Sequence, residues 1–231
     1  MHPNATIHNV EQGSDEWHAC RNGLLTASEV KLILTPTLKT ANNEKTRQHV
    51  YEIAAQRISG YTEPTYIGDA MLRGHADEVK ARDLYSDRIA PVDEVGFITR
   101  DVGGFVLGYS PDGAGVFGGF GIECKSRVQK YQIQTITSDE VPDEHMLQLQ
   151  AGLLVTGWDY IDYISYSGGL PMWTVRTKPV AEYQDAIMAA GLAFEKQVND
   201  VIAKYHDKLS ARDVIETERD VYAQEVNVYA E

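Results

Sequence analysis

The texture of this chain changes at Pro91, and that change limits its fold more than any other feature. Upstream, apolar residues recur at helical spacing. Thr26-Ala27-Ser28 ahead of Glu29-Val30-Lys31-Leu32-Ile33-Leu34 reads as a capped helix start. Asn42 to Ile58 reads as a longer amphipathic helix closed by Ser59-Gly60. A third helix is expected from about Asp69 to Arg88, with Met71, Leu72, Val79, Ala81 and Leu84 on its buried side. Downstream, Val95-Gly96-Phe97-Ile98, Gly104 to Tyr109 and Gly119 to Cys124 are short, β-rich and divided by glycines, as in a meander. Helix returns over Asp143 to Thr156. Asp159 to Tyr166 and Met172 to Thr177 read as strands around a Ser167-Gly168-Gly169 turn, and Ala181 to Tyr205 as a long last helix. The final twenty residues are polar without a clear period. This order predicts an α+β fold, a central mixed β-sheet flanked by helices.

Composition narrows the class. With 231 residues, 43% of them hydrophobic, one domain spanning residues 1–231 with a full core is the simplest expectation. No internal repeat or low-complexity tract interrupts it, and no apolar run approaches the roughly 20 residues of a membrane span, so no membrane partner is expected. Met1-His2-Pro3-Asn4 has neither the charged nor the apolar region of a signal peptide. Cys20 and Cys124 cannot build a multi-bridge framework, which suits a reducing, cytoplasmic setting and leaves the Asn4-Ala5-Thr6 glycosylation triplet idle. Acidic residues outnumber basic ones 34 to 21, a net charge of −13. That total disfavours a broadly basic surface, yet a small basic lining can sit inside it, so a phosphate-bearing partner stays open.

The chemistry concentrates in Gly108-Tyr109-Ser110-Pro111-Asp112-Gly113 and Gly121-Ile122-Glu123-Cys124-Lys125. Residues two apart on a strand share a face, so Glu123 and Lys125 project together while Cys124 enters the opposite layer. A hairpin brings Asp112 beside Glu123, and two close carboxylates are a site for Mg²⁺ or Mn²⁺. With an adjacent lysine to orient water, the set is what metal-assisted phosphodiester hydrolysis requires. The alternative is turn chemistry in Pro-Asp-Gly and a solvated strand face, and spacing alone does not choose. Gly113-Ala114-Gly115-Val116-Phe117-Gly118 satisfies the dinucleotide-binding pattern, but a strand rather than a helix follows it, so it is expected to be a hairpin loop. His18 and Cys20 lack the second pair of a zinc site, and Ser28 lacks the glycine pattern of a hydrolase nucleophile. Trp17 and Trp158 are expected in the core. Gln148 and Gln150, two apart on a helix, face different ways, so one of them is expected at the surface.

Glu11-Gln12-Gly13-Ser14-Asp15-Glu16-Trp17-His18 and Arg21-Asn22-Gly23-Leu24-Leu25-Thr26-Ala27-Ser28-Glu29-Val30 resemble the opening of the phage lambda exonuclease and YqaJ-type viral recombinase family. Ser110-Pro111-Asp112-Gly113, Glu123-x-Lys125, Gly74-His75-Ala76-Asp77-Glu78 and Met146-Leu147-Gln148-Leu149-Gln150 extend the resemblance over residues 11 to about 166, within the PD-(D/E)xK nucleases. The resemblance implies a restriction-endonuclease-like core and a Mg²⁺-dependent 5′-to-3′ exonuclease on double-stranded DNA ends, releasing 5′-mononucleotides and leaving a 3′ overhang. It further implies two Mg²⁺ ions per active site (Mn²⁺ substituting), a homotrimeric ring, a single-strand-annealing protein as partner, and a phage or prophage origin in a bacterial host. By the family pattern Asp112 touches both metals, Glu123 and the backbone carbonyl of Cys124 bind one, and Lys125 activates water. Glu78 stands near the second metal and Gln148 near metal-bound water; Arg21, Ser28 and Thr26 form the 5′-phosphate pocket. Cys124 departs from the aliphatic residue usual there, and Ser126 to Val141 matches too poorly to transfer anything. The rivals are a PD-(D/E)xK endonuclease, a RecB-like nuclease, and a non-catalytic DNA-end-binding module.

Overall fold

The computed structural model describes residues 1–63 and 68–219; residues 220–231, most of the polar C-terminal stretch, lie outside them. In chain order the elements are β1 (Ala5–His8), α1 (Asp15–Arg21), β2 (Leu25–Thr26), a 3-10 turn (Ala27–Glu29), α2 (Val30–Ile33), α3 (Glu44–Ser59) and α4 (Asp69–Arg88). There follow β3 (Val92–Asp93), β4 (Phe97–Asp101), β5 (Val106–Tyr109), β6 (Gly113–Gly115), β7 (Phe120–Ser126), α5 (Gln129–Ser138), α6 (Asp143–Thr156), β8 (Tyr160–Tyr166), β9 (Trp173–Thr177) and α7 (Ala181–Ser210). The helix stops follow cap chemistry. The Asn43 side chain accepts from Thr46 N at the start of α3, and left-handed Gly60 and Gly157 end α3 and α6. β1, α1 and α5 were not expected; α5 fills the stretch the family pattern did not match.

The α+β architecture is as expected, but its sheet is divided. One mixed sheet runs β1-β4-β5-β2 and a second runs β3-β6-β7-β8-β9. The chain crosses between them at Ser110-Pro111-Asp112, where proline has no N–H to give a ladder, and Asp112 N re-enters the second sheet by bonding Ile122 O. β7 and β8 pair in parallel and in register, from Phe120↔Tyr160 to Ser126↔Tyr166, joined by a crossover through α5 and α6. Behind β7, Phe120, Ile122 and Cys124 pack with Ala81, Tyr85, Val92 and Ile164, so Cys124 does enter the layer opposite Glu123. The larger core gathers α2, α3, α6, α7 and the first sheet, with Trp158 inside it as expected.

The expected buried side of α4 holds only at Ala81. Met71, Leu72, Val79 and Leu84 are exposed, whereas Ala81 and Tyr85 are fully buried. The helix packs on β7 and β8 through a stripe one turn apart that also carries Asp77, Glu78 and Arg82. That stripe borders the polar site, so the apolar pattern points to the other side. The glycine-rich segment is a hairpin loop only in its second half: Gly113–Gly115 forms β6, and the turn follows it, with Gly118 and Gly119 at positive φ leading into antiparallel β7. Among the described residues no helix is long and apolar enough to cross a membrane.

Candidate active site

β7 presents Glu123 and Lys125 on one face, and both Glu123 oxygens are occupied. Lys125 Nζ donates to Oε1 at 2.5 Å, Gln148 Nε2 from α6 donates to the same atom at 2.6 Å, and Tyr109 OH from β5 donates to Oε2 at 2.8 Å. Asp112 Oδ2 accepts from Cys124 N at 2.6 Å, just where β6 stops pairing with β7. A residue's N–H and C=O leave a strand toward the same edge, so the Cys124 carbonyl also points to the Asp112 side, away from β8. Glu78 stands half-buried on α4, close enough for Lys125 and Glu123 to act on its charge. The structure thus brings together Asp112, Glu123, Lys125, Glu78, Gln148 and the Cys124 backbone.

The electrostatics of this pocket are those of crowded carboxylates. Burial, then the neighbouring Glu123 carboxylate, push Asp112 well above the usual carboxylate range, against the pull of Lys125. Burial likewise raises Glu78. Burial pulls the Lys125 ammonium down, but Glu123, Asp112 and Glu78 outweigh it and hold it above the ordinary lysine range. Three carboxylates share one ammonium. A divalent cation relieves that crowding, and oxygen donors on every side suit a hard ion, so the residues present fit Mg²⁺ or Mn²⁺. Among the described residues no three His, Cys, Asp or Glu side chains already converge in ligating geometry.

The second group gathers beside the first. Arg21 Nη1 donates to Ser110 Oγ at 3.3 Å and Nη2 to Thr26 Oγ1 at 3.5 Å, while its guanidinium lies 4.2 Å from the Trp17 ring centroid. Burial pulls Arg21 down and Glu29 pushes back, and the guanidinium stays charged. Ser28 Oγ lies 3.3 Å from Thr26 Oγ1. Thr26 gives its own hydroxyl proton and its backbone N–H to Glu29 Oε2, at 2.7 and 2.9 Å, in a capping box. The expected helix from Thr26 to Leu34 is only a 3-10 turn and a four-residue helix, so its dipole offers little to an anion. Arg21 and Ser28 carry the donors here, and Thr26 serves the turn.

Several residues that hold the site were not foreseen. Gln12 Nε2 donates to both Val95 O and Pro111 O, Arg82 Nη1 to Asp112 O, and Trp17 Nε1 to Ser110 Oγ. Trp17 is therefore half-buried at the pocket, not in the core. Neither glutamine of α6 is surface decoration: Gln148 holds Glu123, and fully buried Gln150 joins Lys178 O and Val180 N ahead of α7. Tyr109 gave no polar signal in sequence. It is buried, and burial and Glu123 push its phenol well up, so it remains a donor.

Residues 16–159 match the family described as YqaJ-like viral recombinase domain. Among solved structures, an alkaline exonuclease (LHK-Exo) from Laribacter hongkongensis is 27% identical with a TM-score of 0.75, covering 86% of this chain and 99% of that one. LHK-Exo in complex with dAMP matches at 27% identity over the same shares, with a TM-score of 0.76. A phage related exonuclease from Haemophilus somnus 129PT, 14% identical, shares the fold at a TM-score of 0.55 over 79% of this chain and 96% of that one. No curated protein matches. With Asp112 at the sheet crossover and Glu123-Cys124-Lys125 on β7, the fold is of the PD-(D/E)xK type.

Proposed function

The chain belongs to the YqaJ-like viral recombinase domain family, and from that premise we propose that residues 1–231 act as one Mg²⁺-dependent exonuclease domain. It would resect double-stranded DNA from a 5′ end, releasing 5′-mononucleotides and leaving a 3′ overhang for strand annealing. The observation that carries this reading is Ser110: its hydroxyl receives Trp17 and Arg21, and Asp112 follows two residues later on the same tethered segment. Two residues span at most about 7 Å. A phosphate receptor held that near the carboxylates suits removal of a terminal nucleotide, not a cut in the interior. The dAMP bound to LHK-Exo supports a mononucleotide product.

Asp112 would serve two ions, with Glu123 and the Cys124 carbonyl on one and Glu78 near the other; Mn²⁺ should substitute. When bound, the metals supply charge stabilisation at the scissile phosphate and an acidified water. Lys125, anchored on Glu123, would orient that water, and Gln148, bonded to the same carboxylate oxygen, would steady the ligand. The Arg21 fork and Ser28 hold the 5′-phosphate, and each cut presents a new one. A homotrimeric ring around DNA would put the acidic surface outside and turn Arg21 and Lys125 toward the substrate within, and a single-strand-annealing protein would take the overhang. Light scattering should then give three chain masses, and a strict monomer at micromolar concentration would contradict the ring. The direct test is duplex DNA labelled separately at each end and incubated with Mg²⁺. The expected result is mononucleotides from the 5′ end only; internal cuts or release from the 3′ end would overturn the proposal.

A further inference from the structure

Tyr109 stands on β5 in the first sheet, and its hydroxyl reaches Glu123 Oε2 on β7 in the second, 2.8 Å away. That bond is buried, while those to Oε1 from Lys125 and Gln148 lie at the partly open side of the pocket. The ring has a prepared seat. It meets Trp158 edge-on at 6.4 Å between centroids, and α6 passes it at Gly152, where an added methyl would come within 2.8 Å of Tyr109 Cε1 and Cζ. The next residue is Ser110, which receives Trp17 and Arg21.

We infer that Tyr109 is a positioning residue: its phenol holds one oxygen of Glu123 at the buried sheet junction, so that the other, which Lys125 and Gln148 share at the partly open side, is the one turned toward a cation. The inference rests on the reading of Asp112 and Glu123 as metal ligands. A carboxylate with one oxygen held has lost the rotation it would otherwise lose on binding, so the cation meets a preorganised ligand. Removing such an outer hydrogen bond typically costs about tenfold to a hundredfold in metal affinity. Because Tyr109 and Ser110 are consecutive, the same backbone also fixes the metal carboxylate relative to the Arg21 pocket.

The test is calorimetric titration of Mn²⁺ into the full chain without DNA, comparing wild type, Tyr109→Phe and Asp112→Ala, with thermal unfolding alongside. Tyr109→Phe keeps the ring and should bind Mn²⁺ about tenfold to a hundredfold more weakly, with nuclease rate recovering as Mn²⁺ is raised to saturation. Wild-type Mn²⁺ affinity in Tyr109→Phe, with binding lost in Asp112→Ala, overturns the inference and leaves the metal site standing. Wild-type affinity in both overturns the metal reading and the inference with it. Should Tyr109→Phe fail to fold, Gly152→Ala decides, since it displaces the ring while keeping the hydroxyl: weaker Mn²⁺ binding supports the inference, and an unchanged Kd overturns it.

Discussion

Glu123 and Lys125 stand on a strand paired in register with β8 along its whole length, whereas Arg21, Thr26 and Ser28 stand on α1, a two-residue strand and a single 3-10 turn. The carboxylate half takes its geometry from a backbone held by buried layers. Its side-chain oxygens meet donors from β5, β7 and α6. Apart from the 2.7 Å bond of Thr26 to Glu29 inside the turn, the arginine half is held by side-chain bonds between hydroxyls, a guanidinium and an indole, at distances of 2.9 to 3.5 Å. A rigid half suits chemistry with a narrow geometric tolerance, and a softer half suits a group that arrives and leaves each cycle. Damage to the first should therefore act on rate for every substrate. Damage to the second should act on end preference and by degrees.

The largest effect expected is at Asp112. Asp112→Ala removes the carboxylate assigned to both metals, worth several kcal/mol of transition-state charge stabilisation, or about a thousandfold or more in rate. Phosphorylated and unphosphorylated ends should lose activity alike while the melting temperature holds. Mg²⁺-dependent cleavage intact in this variant would remove the carboxylate half from the comparison altogether.

Acid should also act through a histidine beside the carboxylate side, against the raised Asp112 and Glu78, which favour the folded state as pH falls. His145, on α6 beside Arg127 and stacked on Tyr163, has its imidazole pulled down to about 4, by burial and then by Lys125. An unfolded histidine takes its proton near 6.5 while the folded one does not until about pH 4. Between those values the unfolded state binds more protons, so stability falls as pH falls. The loss reaches at most roughly 3 kcal/mol by pH 4. His145→Gln should flatten that limb of a melting-temperature profile. An unchanged slope from pH 6.5 to 4 would place the acid sensitivity elsewhere.

Arg21 comes next. Losing one charge-assisted contact costs roughly 1.5 to 3 kcal/mol, about tenfold to a hundredfold. Arg21→Ala should slow digestion of 5′-phosphorylated duplex by that factor and 5′-hydroxyl duplex little, at one salt concentration. Equal slowing of both would show that Arg21 supports the fold of the Trp17-Ser110 contact and not an end phosphate.

The contrast between halves also explains what the sequence made legible. Strand alternation is strict, so Glu123 and Lys125 could be put on one face and Cys124 on the other from spacing alone. Asp112 followed because a hairpin leaves it few places to go. Long helices announced themselves by period, and α4 and α6 begin and end where their patterns did. The buried side of α4 was legible only at Ala81, because a helix bordering a polar site adds Tyr85 to it and leaves the larger aliphatics out. Tyr109 was invisible for a related reason: its role depends on a second sheet arriving at its hydroxyl, and no local pattern encodes that arrival. Around Thr26, the motif gave the right neighbours without saying which hydroxyl is free to act.

That last distinction supplies the smallest and most selective prediction. Thr26 Oγ1 donates to Glu29 Oε2, so in the contact with Ser28 it can only accept, and the Ser28 hydroxyl is the donor. The Ser28 proton points at a neutral oxygen and can turn to a phosphate at little cost; the Thr26 proton is bound to a carboxylate that also caps the turn. Ser28→Ala should therefore remove one neutral hydrogen bond from the proposed end-phosphate receptor, worth about 0.5 to 1.5 kcal/mol or roughly twofold to tenfold in the preference for phosphorylated ends. Its melting temperature should stay near wild type. Thr26→Val should show the reverse: a lower melting temperature from the lost capping bond, about 1 kcal/mol, with the preference reduced less than in Ser28→Ala. The two variants, measured together on both substrates, separate recognition from support within a single turn of chain. If Thr26→Val removes the preference at an unchanged melting temperature, the donor assignment is reversed and the softer half reads its phosphate through Thr26.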